Sequence, residues 1–371
     1  MRACARHGGA PILPRGSSPA RLPSSAHLFA PMTSKLSTLL TANVGAARAA
    51  QLLALVTLPA DLPQAPQGRA SRAEIAQALN MVLFGGILER VPSGRAYTDD
   101  VAAAGGKVTF DHGALRTVKW RDNGALPEGE AAFTRILRPL GYVLNGTYPL
   151  DRIGMTGRSY AHADAPEDIA QFFLSEFHPE RFSEAFRAAV SRVTGTSADP
   201  LTPRAQTLLW QLERDGALDL ADGAELVGLL VPCFERQHAT PSLADYETLL
   251  SESAEMAWVA TEGNAFNHAT DRVDDVFALA EQQKQLGRPM KDKVEVSRSG
   301  RVKQTAFRAD TVRRNFVGAQ GETVERDVPG SFYEFITRDR FAEEAAAPQR
   351  YDLGFDAGNA QGIFKMTAAA C

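Results

Sequence analysis

Two histidines, one glutamate and one arginine carry the chemistry that this sequence can support. His112 and Arg116 lie in KVTFDHGALRTVKW, His268 in AFNHATDRVDD and Glu334 in SFYEFITRD. Side chains along a strand alternate between its faces, so residues two or four apart share one. By that rule His112 and Arg116 point one way, as do His268, Thr270 and Arg272, and again Phe332, Glu334 and Ile336. Two imidazoles and one carboxylate on one side of a metal leave its other positions open, the donor set that suits non-haem iron(II). A carboxylate between Phe332 and Ile336 is costly to bury unless something pairs with it, and a bound cation would do so. Arg116 has the planar fork that grips a substrate carboxylate. The same residues also allow a plainer arrangement. In it the histidines are hydrogen-bonded core residues, Glu334 pairs with Arg338 four along, and Arg116 lies at the surface.

A repeat positions these residues. The strand text around His112 leads into GEAAFTRILRPLGY, where Phe133, Ile136, Leu137 and Leu140 fall on one helical face and Gly141 ends the helix. The text around His268 leads into a second helix with Val273, Val276, Phe277 and Ala280 at the same offsets, then Gly287. Strand-like text follows each copy: VLNGTYPLDRIGMTGRSYAH after the first, KVEVSRSGRVKQTAFRADTV and SFYEFITRD after the second. The expected architecture is α+β, with two strand–helix–strands modules, each opening with a histidine. Residues 107–165 form the first metal-binding module and 263–371 the second; 166–262 between them reads as a helical insertion that packs and carries no chemistry. The matched placement of the two histidines is what favours a shared metal over separate core residues. His162, His178 and His238 lack a matching partner and read as structural, and GMTGRSY fits no phosphate-binding fingerprint.

Composition narrows the class. The chain has 371 residues, 44% hydrophobic and 23% charged, with a net charge of -4, which gives no support to nucleic-acid or anionic-membrane partners. Cys4, Cys233 and Cys371 are too far apart to suggest a disulfide framework or thiolate zinc site, and fit a reducing cytoplasm. The longest apolar stretch, Leu52 to Leu58, is too short to span a bilayer. Residues 1–31, with four arginines (Arg2, Arg6, Arg15, Arg21) and no acidic residue, read as a transit peptide or an over-long start before Met32. Residues 32–106 read as a helical region, including Ser37 to Leu58 and Arg72 to Leu88.

The segments FDHGALRT, MTGRSYAH, SEFHPERFS, NHATDRVDD and GSFYEFITR together resemble the 2-oxoadipate dioxygenase/decarboxylase family. That family belongs to the vicinal oxygen chelate superfamily, whose paired βαβββ modules curl around a metal. The resemblance implies Fe(II) held by His112, His268 and Glu334, with Arg116 on the substrate and His112 beside it. It implies that a 2-oxo acid and dioxygen are the small-molecule partners, with 2-oxoadipate converted to 2-hydroxyglutarate and carbon dioxide in lysine catabolism. The closing YDLGFDAGNAQGIFKMT is similar to the final segment of hydroxyphenylpyruvate dioxygenases, which implies a C-terminal lid. Two other activities fit the same scaffold: a glyoxalase-like isomerase or lyase using Zn, Ni or Mn, and a binding protein without chemistry.

Overall fold

The computed structural model describes residues 26–342 and 348–358, with side chains from residue 35 onward. Residues 1–25 of the N-terminal tail, and the part of the expected lid beyond residue 358, lie outside these. At the centre is an eight-stranded sheet. Its strands in chain order are β1 (Phe110–Val118), β2 (Tyr142–Leu150), β3 (Met155–His162), β4 (Gln171–Phe177), β5 (His268–Arg272), β6 (Glu295–Val296), β7 (Val302–Ala306) and β8 (Phe332–Arg338). The spatial order is β2-β3-β4-β1-β5-β8-β7-β6. Each half opens with a strand that pairs parallel to the last strand of its own half, β1 with β4 and β5 with β8. The halves meet where β1 and β5 run antiparallel. A helix follows the first strand of each half: α4 (Ala131–Leu137) and α10 (Val276–Gln285). This is the expected pair of βαβββ modules.

Chain-order helices α1 (Ala26–Leu55), α2 (Arg72–Arg90) and α3 (Pro92–Ala103) precede the sheet. Ser71 and Glu74 close the start of α2 as a reciprocal capping box. Nearly every α2 residue from Ala73 to Leu88 is buried, because the helix lies between α1, α7 (Leu220–Leu230) and one face of the sheet. Phe84 of α2 packs its ring 4.9 Å from Phe110, and Tyr97 of α3 sits 4.8 Å from Phe335. That face is therefore sealed by helices, leaving the opposite, concave face for a site. Among the described residues no helix is long and apolar enough to cross a membrane.

Three details differ from the sequence reading. Gln171–Phe177 is β4, the strand that completes the first half, although it falls in the stretch expected to be helical insertion. It is buried on both faces, so QFFLSEF lacks the apolar–polar alternation that marks a half-exposed strand. Helices fill the stretch only from α5 (Glu184–Thr194) through α6 (Pro203–Asp215), α7, α8 (Leu243–Glu252) and α9 (Ala254–Glu262). In α10 the core contacts are Val276, Ala280 and Gln283, while Phe277, expected on the core face, is 46% exposed. Finally, Thr311–Val317 and Thr323–Pro329 form a separate hairpin between β7 and β8 rather than joining the main sheet.

Candidate metal centre

Register places the expected residues on one row. His112 of β1 is opposite Thr270 of β5, and Thr270 is opposite Glu334 of β8. His268 lies two residues from Thr270 on the same face. Residues directly across a sheet share a face, so all four side chains enter the concave side. Donor atoms of His112, His268 and Glu334 lie within 4.8 Å of one another, and all three residues are buried. Each imidazole Nε2 is 3.2 Å from Glu334 Oε2. The Thr270 hydroxyl donates to the same oxygen at 2.6 Å. Glu334 Oε1, also buried, has no hydrogen-bond partner among the described residues.

A bulge supplies the next layer. Phe110 pairs with Asp271 and His112 with Thr270, so Asp111 is an extra residue in β1. The local break in alternation lets Asp111 turn to the His112 side. Its carboxylate accepts from His112 Nδ1 at 2.9 Å and from the Arg338 fork at 2.9 Å through both Nε and Nη2. Arg338 thus belongs to Asp111, leaving Glu334 for the histidines. On the other ring, Asn267 Oδ1 accepts from His268 Nδ1 at 3.2 Å. With a cation between the rings and Glu334, both contacts would hold the ring proton on Nδ1 and leave the Nε2 lone pairs to the ion. Gly113 lets the strand come close to Phe266, since a Cβ there would lie 2.4 Å from that ring.

Electrostatics follow from burial opposed by partners. Burial alone would push the Glu334 carboxyl up, but the two imidazoles outweigh it and hold it well below the usual carboxylate range. Burial likewise opposes charge on His112, where the Asp111 and Glu334 contacts win and raise its pKa. His268, with no carboxylate behind it, is lowered by burial. The cluster therefore keeps an ionised carboxylate facing two ring nitrogens.

The small cavity above the triad is lined also by Arg116, Phe173, Ser175, Asn267, Gln304 and Phe355. Arg116 is 1% exposed, so it is no surface residue. Its guanidinium lies 4.8 Å over the Trp258 ring of α9, and burial pulls its pKa down to about 10. Phe173 of β4 is opposite Ala114, two residues past His112, just as Glu334 is opposite Thr270, two past His268. The first half thus carries a phenylalanine where the second carries its carboxylate. The three donors therefore come from His112, His268 and Glu334, with Phe173 on the first-half side of the cavity. A strap, residues 352–357, closes that side: Phe355 sits 4.9 Å from both His112 and Phe173. The Asp352 and Gly354 carbonyls accept from Arg338 at 2.8 Å.

Residues 99–360 match the family described as 2-oxoadipate dioxygenase/decarboxylase. The chain belongs to that family. A solved structure described as a glyoxalase superfamily protein, from Ralstonia eutropha JMP134, is 82% identical, with a TM-score of 0.85 over 88% of this chain and 99% of its own. The hydroxyglutarate synthase of Oryza sativa, solved in complex with 2-oxoadipate, shares the fold at 19% identity, with a TM-score of 0.62 over 84% of this chain and 97% of that one. The chloroplastic 2-oxoadipate dioxygenase/decarboxylase of Arabidopsis thaliana is 28% identical over 149 residues, 34% of this chain and 38% of that relative. The match therefore spans well under half of that curated relative. The curled α+β sheet is the glyoxalase-type fold of this family.

The structure brings His112, His268, Glu334 and Arg116 of this family member around one cavity. Sequence reasoning missed four contributors. Asp111 carried a signal in its position beside His112, and Asn267 in its position beside His268. Trp258 sits in helical text with no local mark, and Phe355 in the strap is marked only by its place in the closing segment.

Proposed function

We propose that the protein is a mononuclear non-haem iron(II) enzyme that oxidatively decarboxylates a small 2-oxo dicarboxylic acid, converting 2-oxoadipate and dioxygen to 2-hydroxyglutarate and carbon dioxide. His112, His268 and Glu334 are the metal ligands in this reading, and Arg116 holds a substrate carboxylate. The observation that carries it is the convergence of two Nε2 atoms on a buried carboxylate whose second oxygen, Oε1, lacks a partner among the described residues. Such an oxygen is costly to bury unless a cation meets it. Two nitrogens and one carboxylate with open positions suit iron(II), and Phe173 stands where a symmetric cage would need a fourth donor. That last point weighs against a closed four-ligand isomerase site.

When bound, the iron would supply the dioxygen activation that no side chain can provide. The chain's own residues do the rest. Asp111 and Asn267 fix the imidazole tautomers. Arg116 offers its guanidinium to a carboxylate from a socket made by Trp258. Phe173 and Phe355 keep water from the reacting end. The 2-oxoadipate-bound rice protein of the same fold supports the choice of substrate class.

The test is anaerobic loading with iron(II), then oxygen uptake across five- to seven-carbon 2-oxo dicarboxylic acids and aromatic 2-oxo acids. Oxygen consumption matched one to one by carbon dioxide is expected with a dicarboxylic acid. Turnover without oxygen on a zinc-loaded protein would overturn the proposal. Glu334→Ala should lose iron; full retention of iron and activity would refute the ligand assignment.

A further inference from the structure

We infer that Asn267 is a substrate-binding residue: its side-chain amide donates through Nδ2 to a carboxylate or carbonyl oxygen of the 2-oxo acid, while its Oδ1 holds His268. The inference rests on the function proposed above and adds a contact that the ligand and arginine assignments do not include.

Asn267 directly precedes β5, and its backbone is fixed from both sides. Its N–H donates to the Ala114 carbonyl at 2.8 Å, and its carbonyl accepts from Phe332 N at 3.1 Å. The side chain is 2% exposed and lines the same cavity as the triad and Arg116. Its Oδ1 meets His268 Nδ1 at 3.2 Å, but its Nδ2 is buried and has no hydrogen-bond partner among the described residues. Buried amide nitrogens without partners are rare in folded proteins.

Exchanging the two amide atoms does not remove the problem. With Nδ2 toward His268, Nδ1 of the ring would become the acceptor and Nε2 would carry the proton, which disables Nε2 as a metal donor. The orientation that keeps His268 competent is therefore the one that leaves Nδ2 unspent beside the cavity. An oxygen-rich ligand seated on the triad is the acceptor class such a donor fits. Arg116 and Asn267 then offer donors to one ligand from separate parts of the wall.

The experiment is calorimetric titration of 2-oxoadipate into cobalt(II)-loaded protein, with metal content measured alongside. Asn267→Asp keeps an oxygen for His268 Nδ1 and replaces the donor by an acceptor. A carboxylate behind a ligating histidine is a common second partner, so cobalt should stay bound. The acid should bind about 10- to 100-fold more weakly, as for the loss of a hydrogen bond to a charged acceptor. Asn267→Leu, similar in size, serves if the aspartate variant does not fold. At saturating cobalt it should show the same weakening. Binding within twofold of wild type in either folded variant overturns the inference. If wild-type protein binds cobalt but no 2-oxo acid at all, the functional proposal itself falls and takes this one with it.

Discussion

Asp111 offers the sharpest test of how this centre is built. Its carboxylate is enclosed between His112 and Arg338, with side chains 2% and 0% exposed for the Asp111–Arg338 pair. Burial pushes its pKa up, but Arg338 and His112 outweigh that and hold it below the usual carboxylate range. Asp111→Asn keeps the shape and an acceptor for His112 Nδ1. It turns the other oxygen into a donor facing a guanidinium that can only donate. Removing one partner of a buried pair costs about 3–5 kcal/mol. Arg338 keeps the Asp352 and Gly354 carbonyls at 2.8 Å, which places the expected loss near the low end, about 3 kcal/mol. A metal-binding histidine that loses its anionic partner also binds metal about 10- to 100-fold more weakly. Urea unfolding of the metal-free protein measures the first effect, and competition with a chromophoric chelator the second. The sign with pH is set by the depressed pKa. The wild-type advantage is full above the ordinary carboxylate range and is lost as pH falls toward the native value, so the two proteins should converge in acid. Metal affinity within twofold of wild type at neutral pH would refute the role given to Asp111.

Three further outcomes are expected. Arg116→Ala should retain metal but weaken 2-oxo acid binding by roughly 10- to 150-fold, the worth of a charge-assisted contact, with Arg116→Lys intermediate; calorimetry on metal-loaded protein checks both. Phe173→Glu should add a donor opposite Ala114, so that metal is kept while oxygen uptake is abolished; uptake at wild-type rate would show that this position does not face the open side. Burial pushes the Asp271 carboxyl up from 3.8 to about 7 even though Tyr97 and the Thr109 N–H donate to it. Between those values the native state holds a proton that the unfolded chain has lost, so stability should fall as pH rises from about 4 to about 7 and then level off. Asp271→Asn should remove that slope and gain on the order of 2–4 kcal/mol at pH 8 in urea unfolding.

The convergence of His112, His268 and Glu334 was legible because a strand's period of two is strict where a strand is regular. It put His268, Thr270 and Glu334 on readable faces, and a carboxylate flanked by Phe332 and Ile336 stood out. The same rule hid Asp111, because a bulge suspends alternation at that one residue. It hid β4 as well, since a strand buried on both faces has no polar side to alternate with. Phe277 matched the helical period yet faces out, because the period sets spacing and cannot say which side of a short helix meets the sheet. Trp258 was beyond reach for another reason. It meets Arg116 across 142 positions of chain, through helices whose sequence says only that they pack.

The line where β1 and β5 run side by side has one more implication. Of the three proposed ligands, His112 stands on the first half of the sheet, and His268 and Glu334 stand on the second. An ion gripped by all three would rivet the two halves together along their shared border. Loading should then protect the amides of both central strands from hydrogen exchange at once, and a chelator should slacken them together.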